Sequence, residues 1–471
     1  MPSITLPFGE ATVTAELPGR ARIIGLPAAG AASGETQSRE EREAIVAAAL
    51  QHPLGLPRIR SVARPGARVV IAFDDPTVRG SGDIRELVIE ACLAELADAG
   101  VPESSVSLVC ANALHRKFTR EELSRDIGRG LVDRFGPRLT CHDAEDHGNL
   151  VSFGQTVNGY RADLLRAAAE ADLCIYVNAG CFLGFSGGWK SIAVGLATWR
   201  SIRSTHTPDG MSMSVRHNRM HAVLDEIGEQ IESRLGKRFF KIETVMKNAS
   251  TIGAMWAGGV RETRDAALAY LESRNPPRRS AVQERADVVV YGVADTSPYA
   301  VFARPNPILT LISSGLGYQG GYIEALGKPG CTVIMATPAH EEWDMEHHPA
   351  YREAWDTVFA GSRDAYEIDH QYVEEFATRA DYIDRYRNGV AFHPVHAILA
   401  TQPLRRLKHA GRVIVAGAED VAIPAHVGFE SAPTVEEALR MAEAAHGHDC
   451  SIVGIGLAGD AGAAPRSVRL G

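Results

Sequence analysis

The sequence predicts an α/β protein of two domains with largely parallel sheets, and three observations carry that prediction. At 471 residues the chain exceeds the size at which single hydrophobic cores stop growing. Short apolar runs rich in β-branched residues alternate with segments of helical periodicity. Between the two halves, Ser273 to Arg285 gathers two adjacent prolines and four arginines, which suits a solvated linker or hinge.

The elements follow in order. Ala67 to Phe73 reads as a buried strand, and Ile84, Leu87, Val88, Ala91 and Cys92 then recur at helical spacing up to a stop at Gly100. Val106 to Cys110 is the second strand, and Thr119 with Glu122 forms a capping box for the helix after it. Leu173 to Val177 is the third. Beyond the linker, strands at Asp287 to Tyr291, Thr332 to Met335 and Arg412 to Val415 repeat the alternation, Thr434 with Glu437 caps a helix, and Ser451 to Gly456 is the final strand. The expected domains are 1–275 and 286–471, with Leu457 to Gly471 either a mobile tail or packed back on the first domain.

Composition narrows the class. With 45% hydrophobic and 23% charged residues the chain is an ordinary globular protein, and a formal charge of -9 with pI near 6.0 gives no electrostatic case for nucleic acid or anionic membrane. Seven scattered cysteines without a CxxC pair argue for a reducing compartment. Met1 to Leu26 lacks a signal-peptide pattern and no apolar run approaches the roughly 20 residues of a membrane helix, so a cytoplasmic protein is expected.

Polar clusters follow three of the strands: Asp74 to Arg79, Asn112 to Arg116, and Gly180 to Lys190. Ligands of open parallel sheets sit beyond the carboxyl ends of the strands, so the clusters are expected to converge. Gly184, Gly187 and Gly188 allow backbone N–H groups to approach an anion, or simply make a tight turn. Lys190, at the start of a helix, suits a phosphate contact or a covalent role, against a plain surface charge. His115 offers a group that titrates near neutrality, or else a helix cap, and His206 taken alone reads as a helix cap or a polar surface residue. The stretch Cys141 to Leu150 holds three carboxylates and two histidines, spaced more like a solvated loop or supporting element than a metal site. His340, Glu341, Glu342, Asp344, Glu346, His347 and His348 do not form HExxH and read as a charged helix start.

The string Gly184-Phe185-Ser186-Gly187-Gly188-Trp189-Lys190, with His206 sixteen residues on, resembles the lactate racemase family, as do the segments around His115 and Cys141 to Leu150. The resemblance is best from Arg68 to Pro208. It implies a nickel-pincer nucleotide bound between the domains, covalently held by Lys190 through a thioamide, with His206 as the protein ligand of nickel. It also implies His115 as catalytic acid/base, Asp75, Ser186, Gly187 and Gly188 lining the cofactor, and Arg79, Tyr318 and Gln319 as substrate contacts. Racemisation or epimerisation of a 2-hydroxy acid, supported by cofactor-biosynthesis proteins, is the implied activity.

The chain departs from the family pattern at three places. Gly180 stands where a second catalytic histidine is found, with Cys181 the nearest alternative; Arg79 is displaced by one residue and no proline follows it; Tyr322 replaces a lysine. A substrate larger than lactate is the expectation that follows. The competing readings are a nicotinamide-dependent oxidoreductase, disfavoured because no GxGxxG follows the first strand, and a non-catalytic cofactor-binding homologue.

Overall fold

The computed structural model describes all residues except 27–35, 181–185, 211–217, 275–283, 302 and 458–471. The chain forms two compact units, one of Met1–Ala31, Asn275–Tyr382 and Pro394–Gly471, the other of Ala32–Arg274 and Ile383–His393. Set beside a division into 1–275 and 286–471, two segments change sides: the first residues group with the C-terminal sheet, and Ile383–His393 groups with Ala32–Arg274. Most of the linker, and the tail whose packing was left open, lie outside the described residues.

The main sheet of the Ala32–Arg274 unit has six strands among the described residues, β1 (Val69–Asp74), β2 (Val106–Ala111), β3 (Leu139–Cys141), β4 (Leu173–Asn178), β5 (Phe240–Asn248) and β6 (Thr251–Gly259). Their order across the sheet is β6-β5-β4-β1-β2-β3, parallel throughout except for the β5–β6 pair. β1 is buried along its whole length, as an apolar run covered on both faces must be. From β1 the chain proceeds outward through β2 and β3, then returns to the other side with β4 and β5. The order therefore reverses beside β1, and that is where a parallel sheet opens a crevice at its carboxyl edge. The helix Ile84–Asp98 buries Ile84, Leu87, Val88, Ile89 and Cys92, and the Thr119–Glu122 capping box opens the helix Arg120–Ile127.

In the other unit, Ala286–Ala294 lies parallel to Gly327–Ala336, to Ile452–Leu457 and to Ser3–Gly9; Ala410–Ala416 and Arg22–Leu26 extend the sheet on either side. Ile4, Leu6, Val288, Val290, Ile334, Ile414, Leu439 and Ile452 share its core. Among the described residues no helix is long and apolar enough to cross a membrane.

Candidate active site

Asp74 ends β1 and is buried. Its carboxylate accepts hydrogen bonds from the Tyr176 hydroxyl (3.0 Å), the Ala179 amide (2.8 Å) and Asn178 Nδ2 (3.4 Å). Burial pushes it up to about 6, with Arg85 and Lys241 pulling the other way. The next residue, Asp75, places Oδ2 2.7 Å from His115 Nδ1 and accepts from the Thr77 amide at 3.2 Å. His115 Nδ1–H therefore donates to the carboxylate, leaving Nε2 as the basic nitrogen. The Asp75 side chain is only 3% exposed but that of His115 is 21% exposed, so solvent or substrate reaches the imidazole and not its partner.

Lys190 belongs to the short helix Trp189–Ala193, entered through Gly187 and Gly188 at φ of +85° and +56°. A Cβ on Gly187 would stand 2.6 Å from Glu243 Oε1, and one on Gly188 2.2 Å from Arg264 Cδ. Neither position accommodates a side chain. Beneath the turn, Lys241 and Glu243 of β5 form a fully buried ion pair at 3.0 Å. Lys241 Nζ also donates to the Gly188 carbonyl (2.6 Å) and Ser191 Oγ (3.0 Å), while Glu243 Oε2 accepts from the Gly188 amide (2.9 Å). Arg264 Nη1 donates to the Ser186 carbonyl (2.6 Å), and Ser186 Oγ to that of Gly180 (3.0 Å). Burial first, then the like charge of Arg264, lowers the Lys190 ammonium to about 7, with Asp74 opposing. A neutral, nucleophilic amine is thus populated near physiological pH.

His206 follows the helix Trp199–Ile202. The Thr205 hydroxyl donates to the Ile202 carbonyl at 2.7 Å and lies 2.8 Å from His206 Nδ1. With its single proton so used, that hydroxyl accepts from Nδ1–H, and the Nε2 lone pair is the one presented for coordination. Burial, and then the nearby Lys190 and His115, hold the imidazole down to about 3, so it is neutral at working pH. Mutual electrostatic influence among Asp74, Lys190, His206 and His115 puts them in one neighbourhood.

The remaining sequence candidates are carried by other loops and elements. Arg79 is on the exposed rim of its loop. Tyr318 and Gln319 lie in the other unit at the end of Ile308–Tyr318, where Tyr318 donates to the Tyr299 hydroxyl (3.2 Å) and Tyr299 meets His396 edge-on with centroids 4.5 Å apart. Cys181 and Gly184 lie outside the described residues. Of the acidic and histidine-bearing segment, His142 is buried, bonds the Ala197 carbonyl at 2.9 Å and is lowered by burial to about 4; Asp143 and Glu145 pair with Lys117 and His393. His340 and His347 pair with Glu419 and Asp344. Among the described residues no three or more His, Cys, Asp or Glu side chains are gathered to hold a metal ion. Sequence reasoning missed Lys241, Glu243 and Arg264, and it placed Asp74 in a converging cluster without giving it a role. The alternation Phe240-Lys241-Ile242-Glu243 was a strand signal, but lysine and glutamate in a strand read as its wet face.

Residues 12–218 match the lactate racemase N-terminal domain family. Lactate racemase of Lactiplantibacillus plantarum is 26% identical over 267 residues, 55% of this chain and 60% of that protein. Lactate racemase of Thermoanaerobacterium thermosaccharolyticum is 29% identical over 209 residues, 44% of this chain and 47% of its own length. The chain thus aligns with about half the length of these relatives. Among solved structures, the lactate racemase apoprotein from T. thermosaccharolyticum superposes with a TM-score of 0.67 at 20% identity, covering 96% of this chain and 98% of that one. A protein from Thermotoga maritima does so with a TM-score of 0.54 at 14% identity, over 89% and 96% of the two chains. These structural likenesses speak for the fold, and it is residues 12–218 that are similar to the N-terminal domain of lactate racemases.

Proposed function

We propose that this chain is an isomerase, a racemase or epimerase of a 2-hydroxy acid larger than lactate, working with a covalently attached nickel-pincer nucleotide. The observation that carries the reading is the grouping of an Asp75–His115 pair, a near-neutral Lys190 and a neutral His206 at the carboxyl edge of one parallel sheet. These residues suit the group: the glycine turn leaves no room for side chains and presents a partly buried amine able to form a thioamide, and the single imidazole of His206 would serve a metal whose other donors belonged to the nucleotide. When bound, the nucleotide supplies a pyridinium carbon that accepts hydride and a soft nickel centre.

The chain supplies the proton chemistry. His115 Nε2 takes the proton of the substrate hydroxyl while Asp75 stabilises the imidazolium formed, and the same nitrogen returns that proton to the oxygen when the carbinol is restored. Ser186, Gly187 and Gly188 line the cofactor, and Arg79, Tyr318 and Gln319 contact substrate. With Tyr322 in place of a lysine, one charged hydrogen bond to a carboxylate is lost, worth roughly 1.5–3 kcal/mol. Lactate should therefore bind about ten- to a hundredfold more weakly than in an enzyme retaining that contact, and larger acids recover affinity through contacts beyond the carboxylate. The reading places the chain in the cytoplasm, supplied by proteins that make and load the nucleotide.

The experiment is stereochemical. Protein from a cofactor-synthesising host is given single enantiomers of C2-deuterated hydroxy acids of increasing length, and enantiomeric ratio and label are followed by chiral chromatography with mass detection. Loss of optical purity, faster for the larger acids, is the expected result. Retained optical purity with nickel-loaded protein would leave only the non-catalytic reading, and nicotinamide-dependent turnover would favour the oxidoreductase.

A further inference from the structure

We propose that Ile383–His393, contributed from the second half of the chain, is a strap that sets the His115 ring, with Tyr386 and Phe392 as its positioning residues; the inference rests on the reading of His115 as acid/base. The starting point is Ala113, two residues before His115. Its φ of +49° is one of only two positive values among the described non-glycine residues. A residue with a side chain persists in that conformation only where its surroundings over-determine it.

The surroundings are in two parts. Within the N-terminal half, the Ala113 amide donates to the Gly195 carbonyl (3.1 Å), the His115 amide to the Asn112 carbonyl (2.7 Å), and Asn112 Nδ2 to the His115 carbonyl (3.1 Å). The strap supplies the rest. The Tyr386 hydroxyl donates to the Ala113 carbonyl (3.0 Å) and accepts from the Ala144 amide (2.9 Å), and the His393 amide donates to the Leu114 carbonyl (3.0 Å). The Phe392 ring then lies against the His115 imidazole, centroids 5.7 Å apart.

The strap is itself anchored on the acidic segment that the sequence singled out. His393 Nε2 is 3.1 Å from Glu145 Oε1, Arg387 Nε is 3.4 Å from Asp143 Oδ2, and Lys117 Nζ donates to the Arg387 carbonyl. Tyr386 and His393 are fully buried. The segment Asp143 to Glu145 therefore works as the landing site of the strap. The carbonyls of Ala113 and Leu114 are bonded by groups more than 270 positions away in sequence, and the imidazole meets a tilted aromatic ring from there as well.

Tyr386→Phe tests this in the full-length protein, because it keeps the ring and removes only the bridging hydroxyl; Phe392→Leu is the second variant, leaving the backbone bonds intact. The readout is the low-field Nδ1–H resonance of His115 in protein carrying 15N-histidine, assigned by its loss in His115→Gln, with circular dichroism as the check on folding. We expect that resonance to be lost or broadened in Tyr386→Phe and shifted in Phe392→Leu while the His206 signals stay in place. Where turnover is measurable, kcat should fall about ten- to a hundredfold with KM little changed, as for a displaced catalytic group. Wild-type His115 resonances in both folded variants would overturn the proposal, and if Tyr386→Phe fails to fold, an unshifted signal in Phe392→Leu does so alone. The resonance does not depend on turnover, so failure of the racemase reading leaves it intact as a test.

Discussion

Replacing Lys241 by methionine should unseat the turn that presents Lys190. The side chain is fully buried, and its ammonium is the ion-pair partner of Glu243 as well as the donor to the Gly188 carbonyl and Ser191 Oγ. Methionine fills a similar volume but strands a buried carboxylate, a loss of about 3–5 kcal/mol when one partner of a buried pair is removed. In Lys241→Met/Glu243→Gln the stranded charge is gone and the Gly188 amide keeps an acceptor, so the double variant should recover about 1–3 kcal/mol of that loss. The chain has two compact units, so the measurement is amide hydrogen exchange of peptides covering 189–193 and 240–248. A single variant less than about 1 kcal/mol below wild type, the range of an exposed pair, would refute the reasoning. So would a double variant no more stable than the single one.

Three further outcomes follow. Acylation of Lys190 by an amine-reactive ester, mapped by mass spectrometry, should rise with a midpoint near pH 7, and Arg264→Met should move the midpoint up because a like charge is removed; a midpoint near the ordinary 10.5 counts against the buried-amine argument. His115→Ala should lower kcat by about 10²–10⁴-fold with nickel and nucleotide still bound, and near-native turnover would exclude the role. Asp74 keeps its proton to about pH 6 in the folded protein against 3.8 for the free side chain, so its contribution to stability diminishes as pH rises from about 4 to about 6. Asp74→Asn should therefore gain on wild type across that window by up to about 3 kcal/mol, seen in urea midpoints at pH 4 and 7; a constant difference between the two proteins would contradict it.

The parts of the fold legible in the sequence were those whose physics is local. Continuous apolar runs marked β1, β2 and β4 because strands buried on both faces cannot alternate, and Thr119 with Glu122 announced a helix start by its hydrogen-bond chemistry. The convergence of the Asp75, His115 and Lys190 clusters was legible because all three follow strands of one parallel sheet. The placement of Arg22–Leu26 beside Ile452–Leu457 was not, nor was that of Ser3–Gly9 beside Ala286–Ala294, since these partners lie more than 280 residues away; the local pairing of Ser3–Gly9 with Ala11–Glu16 does not tell which sheet the hairpin joins. Lys241 and Glu243 hid for a different reason: each is tolerable in a core only because of the other, and pairing across a strand face under a glycine turn is invisible along the chain. Tyr386 likewise sits in an amphipathic helix, Ala380–Asn388, whose pattern says that one face is buried and not what covers it.

The central claim is that Lys190 carries the nucleotide and His206 its nickel. Intact mass and metal content of protein from a cofactor-synthesising host test it most directly, with wild type, Lys190→Ala and His206→Ala measured side by side. The account predicts an adduct on the Lys190 peptide with about one nickel per chain in wild type, no adduct in Lys190→Ala, and an adduct with most of the metal lost in His206→Ala. An unmodified Lys190 in wild-type protein, from a host proven to make and load the nucleotide, would contradict it.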